Sequence, residues 1–164
     1  MMISDKMCAK LNEQIAAEFS AAHAYLAMAC AFDQMGLKIL AKKFLDQESE
    51  EREHAMKILR YVQEVGGTVA LQEVSRPRAD YADVQAIVQA ALESEENVTR
   101  MIHVLVAQAE DERDFATRSF LNWFVDEQVE EVSNMTDLLT LVRLAGDNML
   151  QVESRVRHEM TGAG

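Results

Sequence analysis

The chain has 164 residues, a length that predicts one domain with a single core needing no disulfide or metal staple. One proline, six glycines and abundant Ala, Leu, Glu, Gln and Met predict an all-α chain. Acidic side chains number 28 against 16 basic ones, and the resulting net charge of −12 repels nucleic acid and anionic lipid while drawing in cations.

The first helix is expected over about residues 5–35, opening after the cap candidate Ser4 and stopping at Gly36. Its apolar stripe runs Leu11, Ile15, Glu18, Ala22, Tyr25, Ala29. The second, over about 37–65, ends at Gly66 and Gly67 and carries Leu40, Phe44, Gln47, Glu51, His54, Ile58, Tyr61 and Val65. Residues 66–80 hold Pro77 and no sustained helical stripe. The third helix, about 81–109, presents Val84, Val88, Ala91, Glu95, Val98, Ile102 and Leu105. After the charged break at Glu110, Asp111 and Glu112, the fourth spans about 112–144 with Thr117, Leu121, Phe124, Gln128, Glu131, Met135, Leu138 and Val142. A short fifth helix over about 148–159 (Met149, Leu150, Val152, Val156) is too short and too weakly apolar to stand without a partner surface. The 4-3-4-3 spacing keeps each stripe on the face that packing must bury.

Connection lengths set the topology. The first and second helices meet with almost no loop, as do the third and fourth, so each pair is expected to form an antiparallel hairpin. The segment of roughly 15 residues between the pairs reaches about 50 Å when extended. A helix of about 28 residues is roughly 42 Å long, so this segment can cross the whole bundle and set the second and third helices parallel. The expected architecture is a four-helix bundle of two antiparallel hairpins, with a long crossover and a short C-terminal helix.

Cys8 and Cys30 lie roughly 33 Å apart along one helix and cannot pair within it. The N-terminal residues Met1 to Lys6 lack the apolar core of a signal peptide. The longest apolar stretch, Ala21 to Phe32, is short and interrupted by His23, so no membrane span is expected. A reducing cytoplasm fits these features.

Each of the four long stripes is broken near its midpoint by metal-binding residue types: Glu18, Glu51 with His54, Glu95, and Gln128 with Glu131. In a bundle these converge at one depth. Unpaired buried carboxylates cost several kcal/mol each, so a core holding four of them calls for cations. Glu51 and His54 form a Glu-x-x-His pair on one face, one turn apart. Oxygen-rich ligands with one imidazole suit Fe(II), Mn(II) or Zn(II), and Glu51 is the natural bridge between two ions. Tyr25 is either a core aromatic with its hydroxyl satisfied or a group that hydrogen-bonds a ligand or donates an electron during oxygen reduction. Glu50, Glu127 and Glu130 border the central set and are either solvated charges or a third ion site or exit path.

Together, Glu18, Tyr25, Glu51-Arg52-Glu53-His54, Glu95 and Asp126 to Glu131, with the helix order and crossover, resemble the ferritins, specifically the bacterial non-haem type, over essentially the whole chain. The resemblance implies one iron on Glu18, Glu51 and His54 and a second on Glu51, Glu95 and Glu131, with Gln128 beside the pair. It also implies a third iron site on Glu50, Glu127, Glu130 and Glu131. The implied function is iron storage and detoxification. A ferroxidase centre oxidises Fe(II) with O2 or H2O2, and the ferric mineral is kept inside a 24-subunit shell. Haem is not expected, because Arg52 stands where haem-binding relatives carry methionine and a second Glu-x-x-His is missing from the fourth helix. Two other readings of the residues stay open: a di-iron or manganese enzyme that stores nothing, and a purely structural acidic bundle.

Overall fold

The computed structural model describes residues 2–162, which leaves Met1 of the N-terminal stretch outside. Five helices and no strand occur among these residues: α1 (Asp5–Gln34), α2 (Lys38–Glu64), α3 (Val84–Asp111), α4 (Phe115–Ala145) and α5 (Met149–Met160).

Helix ends follow local chemistry. Ser4 accepts the Met7 N–H at 2.9 Å and opens α1, as its cap position predicts. Gly36 and Gly66 stand just past α1 and α2 with φ of +80° and +78°, the left-handed conformation that stops a helix with least strain in glycine. Helix α3 begins at Val84, not near Tyr81, because Asp83 accepts the Ala86 N–H at 2.8 Å. Helix α4 likewise begins at Phe115, not near residue 112, with Asp114 accepting from Thr117 N–H at 2.9 Å. The fifth helix starts at Met149, capped by Asn148. Leu37, at the start of α2, supplies no side-chain cap. Glu153 of α5 reaches in instead, its Oε2 accepting the Ile39 N–H at 2.7 Å.

Cross-helix contacts fix the topology. Met2 N–H donates to Val65 O and Tyr25 packs on Phe44, so α1 and α2 run antiparallel. Ser4 reaches Glu112 and Tyr25 reaches Glu95, which makes α1 and α3 antiparallel. Arg143 on Gln89 and Gln128 on Glu95 do the same for α3 and α4. Helices α2 and α3 are therefore parallel, joined by the crossover. Asn12 anchors its start, donating to Thr68 O at 2.9 Å and accepting from Ala70 N–H at 2.8 Å. Farther along, Ser20 Oγ accepts from Ser75 N–H. Gly67 suits the tight exit from α2: a Cβ there would stand 3.0 Å from Val62 and 3.1 Å from the Cys8 sulfur, closer than nearly all such contacts.

Two apolar clusters fill the bundle, one on each side of a polar layer. One contains Phe32, Phe44, Val88 and Met135; the other contains Leu11, Ile58, Ile102 and Phe124. Along each long helix the buried residues pass from one cluster to the other across Glu18, Glu51 with His54, Glu95, or Gln128 with Glu131. The fifth helix buries Val152 and Val156 against α2 and α4, so its partner surface lies within the chain, while Leu150 stays 78% exposed. Though Ala21–Phe32 alone is short, α1 as a whole is long and apolar enough, by length and composition, to cross a membrane. It packs on α2 and α3 and buries Asn12, Gln14 and Glu18 there, the pattern of a bundle's core helix.

Candidate metal centre

Five ionisable side chains from four helices meet in the polar layer, and none of them is more than 4% exposed: Glu18 0%, Glu51 0%, His54 4%, Glu95 1% and Glu131 2%. His54 Nδ1 lies 3.3 Å from Glu51 Oε2 and 3.9 Å from Glu18 Oε2. All three atoms are buried and lack a hydrogen-bond partner. Oriented, unsatisfied donor atoms of this kind suit a cation, because leaving each one alone costs desolvation energy that nothing repays. A second trio, Glu51, Glu95 and Glu131, also offers one oxygen each within 4.8 Å of the others. Glu51 belongs to both trios, as a bridge must.

Five further carboxylate oxygens are held from outside by neutral groups. Tyr25 OH donates to Glu95 Oε1 at 2.5 Å, so its hydroxyl is spent on the centre. Gln128 Nε2 donates to Glu95 Oε2 at 3.3 Å and to Thr99 Oγ1 at 3.0 Å. Gln14 holds Glu18 Oε1 at 2.9 Å. Gln47 holds Glu51 Oε1 at 3.0 Å and Glu131 Oε2 at 2.8 Å. Sequence reasoning assigned no role to Gln14 or Gln47, although each stands four residues before a central glutamate, one helical turn away. The rings of Trp123 and Phe124 pack edge-on to His54 with centroids 5.3 and 6.1 Å away, and Lys57 Nζ sits 3.5 Å over Trp123.

Crowded carboxylates hold protons. Burial, then the charge of Glu51, raises Glu95 to about 8. Burial, then the charges of Glu95, Glu51 and Glu50, raises Glu131 to about 9. Glu18 is pushed well up by burial and by Glu51. Burial pushes Glu51 up as well, but the adjacent His54, helped by the Gln47 amide, outweighs it and holds Glu51 below the usual range. His54 is raised: burial works against its charge, and Glu51, Glu127 and Glu95 prevail. Tyr25 is driven well up by burial and the neighbouring carboxylates. The layer thus stores protons that cations would displace.

The outer acidic set is only partly assembled. Glu127 Oε1 lies 3.9 Å from His54 Nε2, and Glu127, Glu131 and His54 form a third trio within 4.8 Å. Glu50 is raised by burial and feels His54, Glu127 and Glu131. Glu130 is exposed and joins none of the three trios. Rotation by about 100° from Glu131 turns it to solvent.

Comparison with known proteins identifies the family and the fold. A profile of the ferritin-like domain matches residues 8–145. Bacterial non-heme ferritin from Staphylococcus aureus (strain USA300) is 37% identical over 147 residues, covering 90% of this chain and 89% of the relative. Its counterpart in Staphylococcus epidermidis is 36% identical over the same shares. Among solved structures, an open pore ferritin from the hyperthermophilic archaeon Archaeoglobus fulgidus superposes with a TM-score of 0.92 at 41% identity, covering 94% of this chain and 96% of that one. A humanized archaeal ferritin gives the same TM-score and identity over 94% and 95%. A bundle split by a carboxylate layer, and likeness across nine-tenths of the sequence, make this chain a member of the ferritin family, akin to the bacterial non-haem ferritins.

Proposed function

We propose that the chain is an iron-storing ferroxidase, with Fe(II) as substrate. Glu18, Glu51 and His54 hold one ion; Glu51, Glu95 and Glu131 hold the other. The observation that carries the proposal is the convergence of three buried, unpartnered atoms, Glu18 Oε2, Glu51 Oε2 and His54 Nδ1. Two Fe(II) ions each give up one electron, and O2 takes both with two protons to form H2O2. Peroxide can replace O2 as oxidant for a further pair, yielding water. Four carboxylates around two cations favour Fe(III) over Fe(II), which drives the electron loss. Protons released from Glu18, Glu95 and Glu131 as ions bind are available to the reduced oxygen. Tyr25 fixes Glu95 and Gln128 supports it from the other side. With a single imidazole in the set, the ferric product is weakly retained and can leave.

Glu127 and Glu50, beside His54 and Glu131, line the way between the paired site and a third ion position, with Glu130 as an exposed outer carboxylate. A 24-subunit shell enclosing the mineral, in the cytoplasm, completes the proposal. Large apolar side chains left open on the surface support assembly: Phe115 is 77%, Leu144 82% and Leu150 78% exposed. Both cysteines are free, in keeping with a reducing compartment.

Rapid-mixing measurement of Fe(II) oxidation tests the centre. Glu18→Ala and His54→Ala should each slow the fast phase by about 100-fold, the upper range for a lost ligand or its support. Wild-type rates in both variants would reject the proposal.

A further inference from the structure

We infer that Gln47 is a positioning residue that brackets the two halves of the metal centre and sets the second ion position. The inference rests on the paired-site reading above. Helices α2 and α4 are the widest neighbours in the bundle: no Cα of one comes within 8 Å of a Cα of the other. Side chains alone span that gap. Near one end Tyr61 stacks on Phe120 and bonds Thr117. At the depth of the centre His54 packs on Trp123, and the hydrogen-bonded link is Gln47, buried at 8% exposure, whose Nε2 uses one hydrogen on Glu51 Oε1 at 3.0 Å and the other on Glu131 Oε2 at 2.8 Å.

The geometry divides the labour of Glu51. Its Oε2 faces His54 Nδ1 and has no hydrogen-bond partner, so it serves the first position. Its Oε1 is held by Gln47 on the side shared with Glu131. One amide therefore orients the bridging carboxylate and places Glu131, carried by a helix whose backbone stays apart from that of α2. Neutrality suits the role: a Lys or Arg at this point would compete with the second cation for both oxygens, and an apolar residue would leave them unguided. Gln14 provides the contrast. Its Nε2 bonds Glu18 alone, so it supports only the first position.

The test uses the full chain in its native assembly with Zn(II), which cannot be oxidised. Crystals equilibrated across a Zn(II) series, read by anomalous scattering at the zinc edge, give half-saturation for each position separately. Gln47→Met, similar in length but without a donor, should raise half-saturation at the Glu95/Glu131 position about tenfold and leave the Glu18/His54 position within about twofold. Gln14→Met should show the reverse pattern, and melting of both metal-free variants verifies folding. The inference is overturned if Gln47→Met leaves the second position within about twofold of wild type, or weakens both positions alike. Absence of a Zn(II) pair in the wild-type chain would instead defeat the paired-site reading beneath it.

Discussion

Glu95 and Glu131, raised to about 8 and about 9, must give up protons before they can hold cations, and this makes binding pH-dependent. Zn(II) affinity should climb between pH 6 and pH 8 with net proton release, seen by calorimetry in buffers of different ionisation enthalpy; affinity independent of pH would contradict the assignment. The metal-free chain should behave oppositely in stability. A carboxyl raised from 4.5 binds more protons folded than unfolded, so its contribution is complete below 4.5 and is lost as pH rises towards about 8 and about 9. Thermal melts of metal-free protein should therefore decline over that window, and saturating Zn(II) should flatten the decline. Tyr25→Phe removes the donor to Glu95 and should destabilise the fold by about 1–3 kcal/mol, the cost of a buried acceptor left alone. The buried glutamates and histidine of the polar layer were legible in the sequence because a charge interrupting an apolar stripe is costly. Gln14 was not, because an amide off the stripe is unremarkable at the surface. Glu130 shares the depth of Glu131 but faces solvent, and depth alone cannot separate the two.

At the scale of elements, the four long helices and the crossover could be read from stripe spacing and from where glycine and proline fall. Helix starts were less legible. Several acidic residues precede α4, and only the fold selects Asp114 over Glu110, Asp111 or Glu112 as the cap. The cap on α2 was invisible, since Glu153 lies 114 positions from Ile39. Glu153→Ala should cost about 0.5–2 kcal/mol, the range for a lost helix cap, with faster amide exchange in α5 and the first turn of α2. The α3–α4 turn offers a change of opposite sign. Arg113 is the one non-glycine residue with positive φ among those described, at +54°, so Arg113→Gly should raise stability, by up to about 1 kcal/mol once the extra freedom of the unfolded chain is offset. A lower melting temperature would show that the Arg113 side chain outweighs its backbone strain.

For the whole molecule, the family and the bundle were legible from the joint pattern of helix lengths, crossover and ligand spacing. Assembly faces were not, because an exposed Leu on a helix looks the same whether it meets water or a neighbouring subunit. The double variant Leu144→Glu and Leu150→Glu leaves the core of the chain untouched and should break the proposed shell into smaller oligomers at unchanged helicity, as read by light scattering after size exclusion. The central claim, that the polar layer is a cage for two cations, is tested most directly by anomalous diffraction at the iron edge from crystals soaked anaerobically in Fe(II). The account predicts two adjacent peaks, one among Glu18, Glu51 and His54 and one among Glu51, Glu95 and Glu131. Iron confined to surface carboxylates, with the buried layer empty, would contradict it.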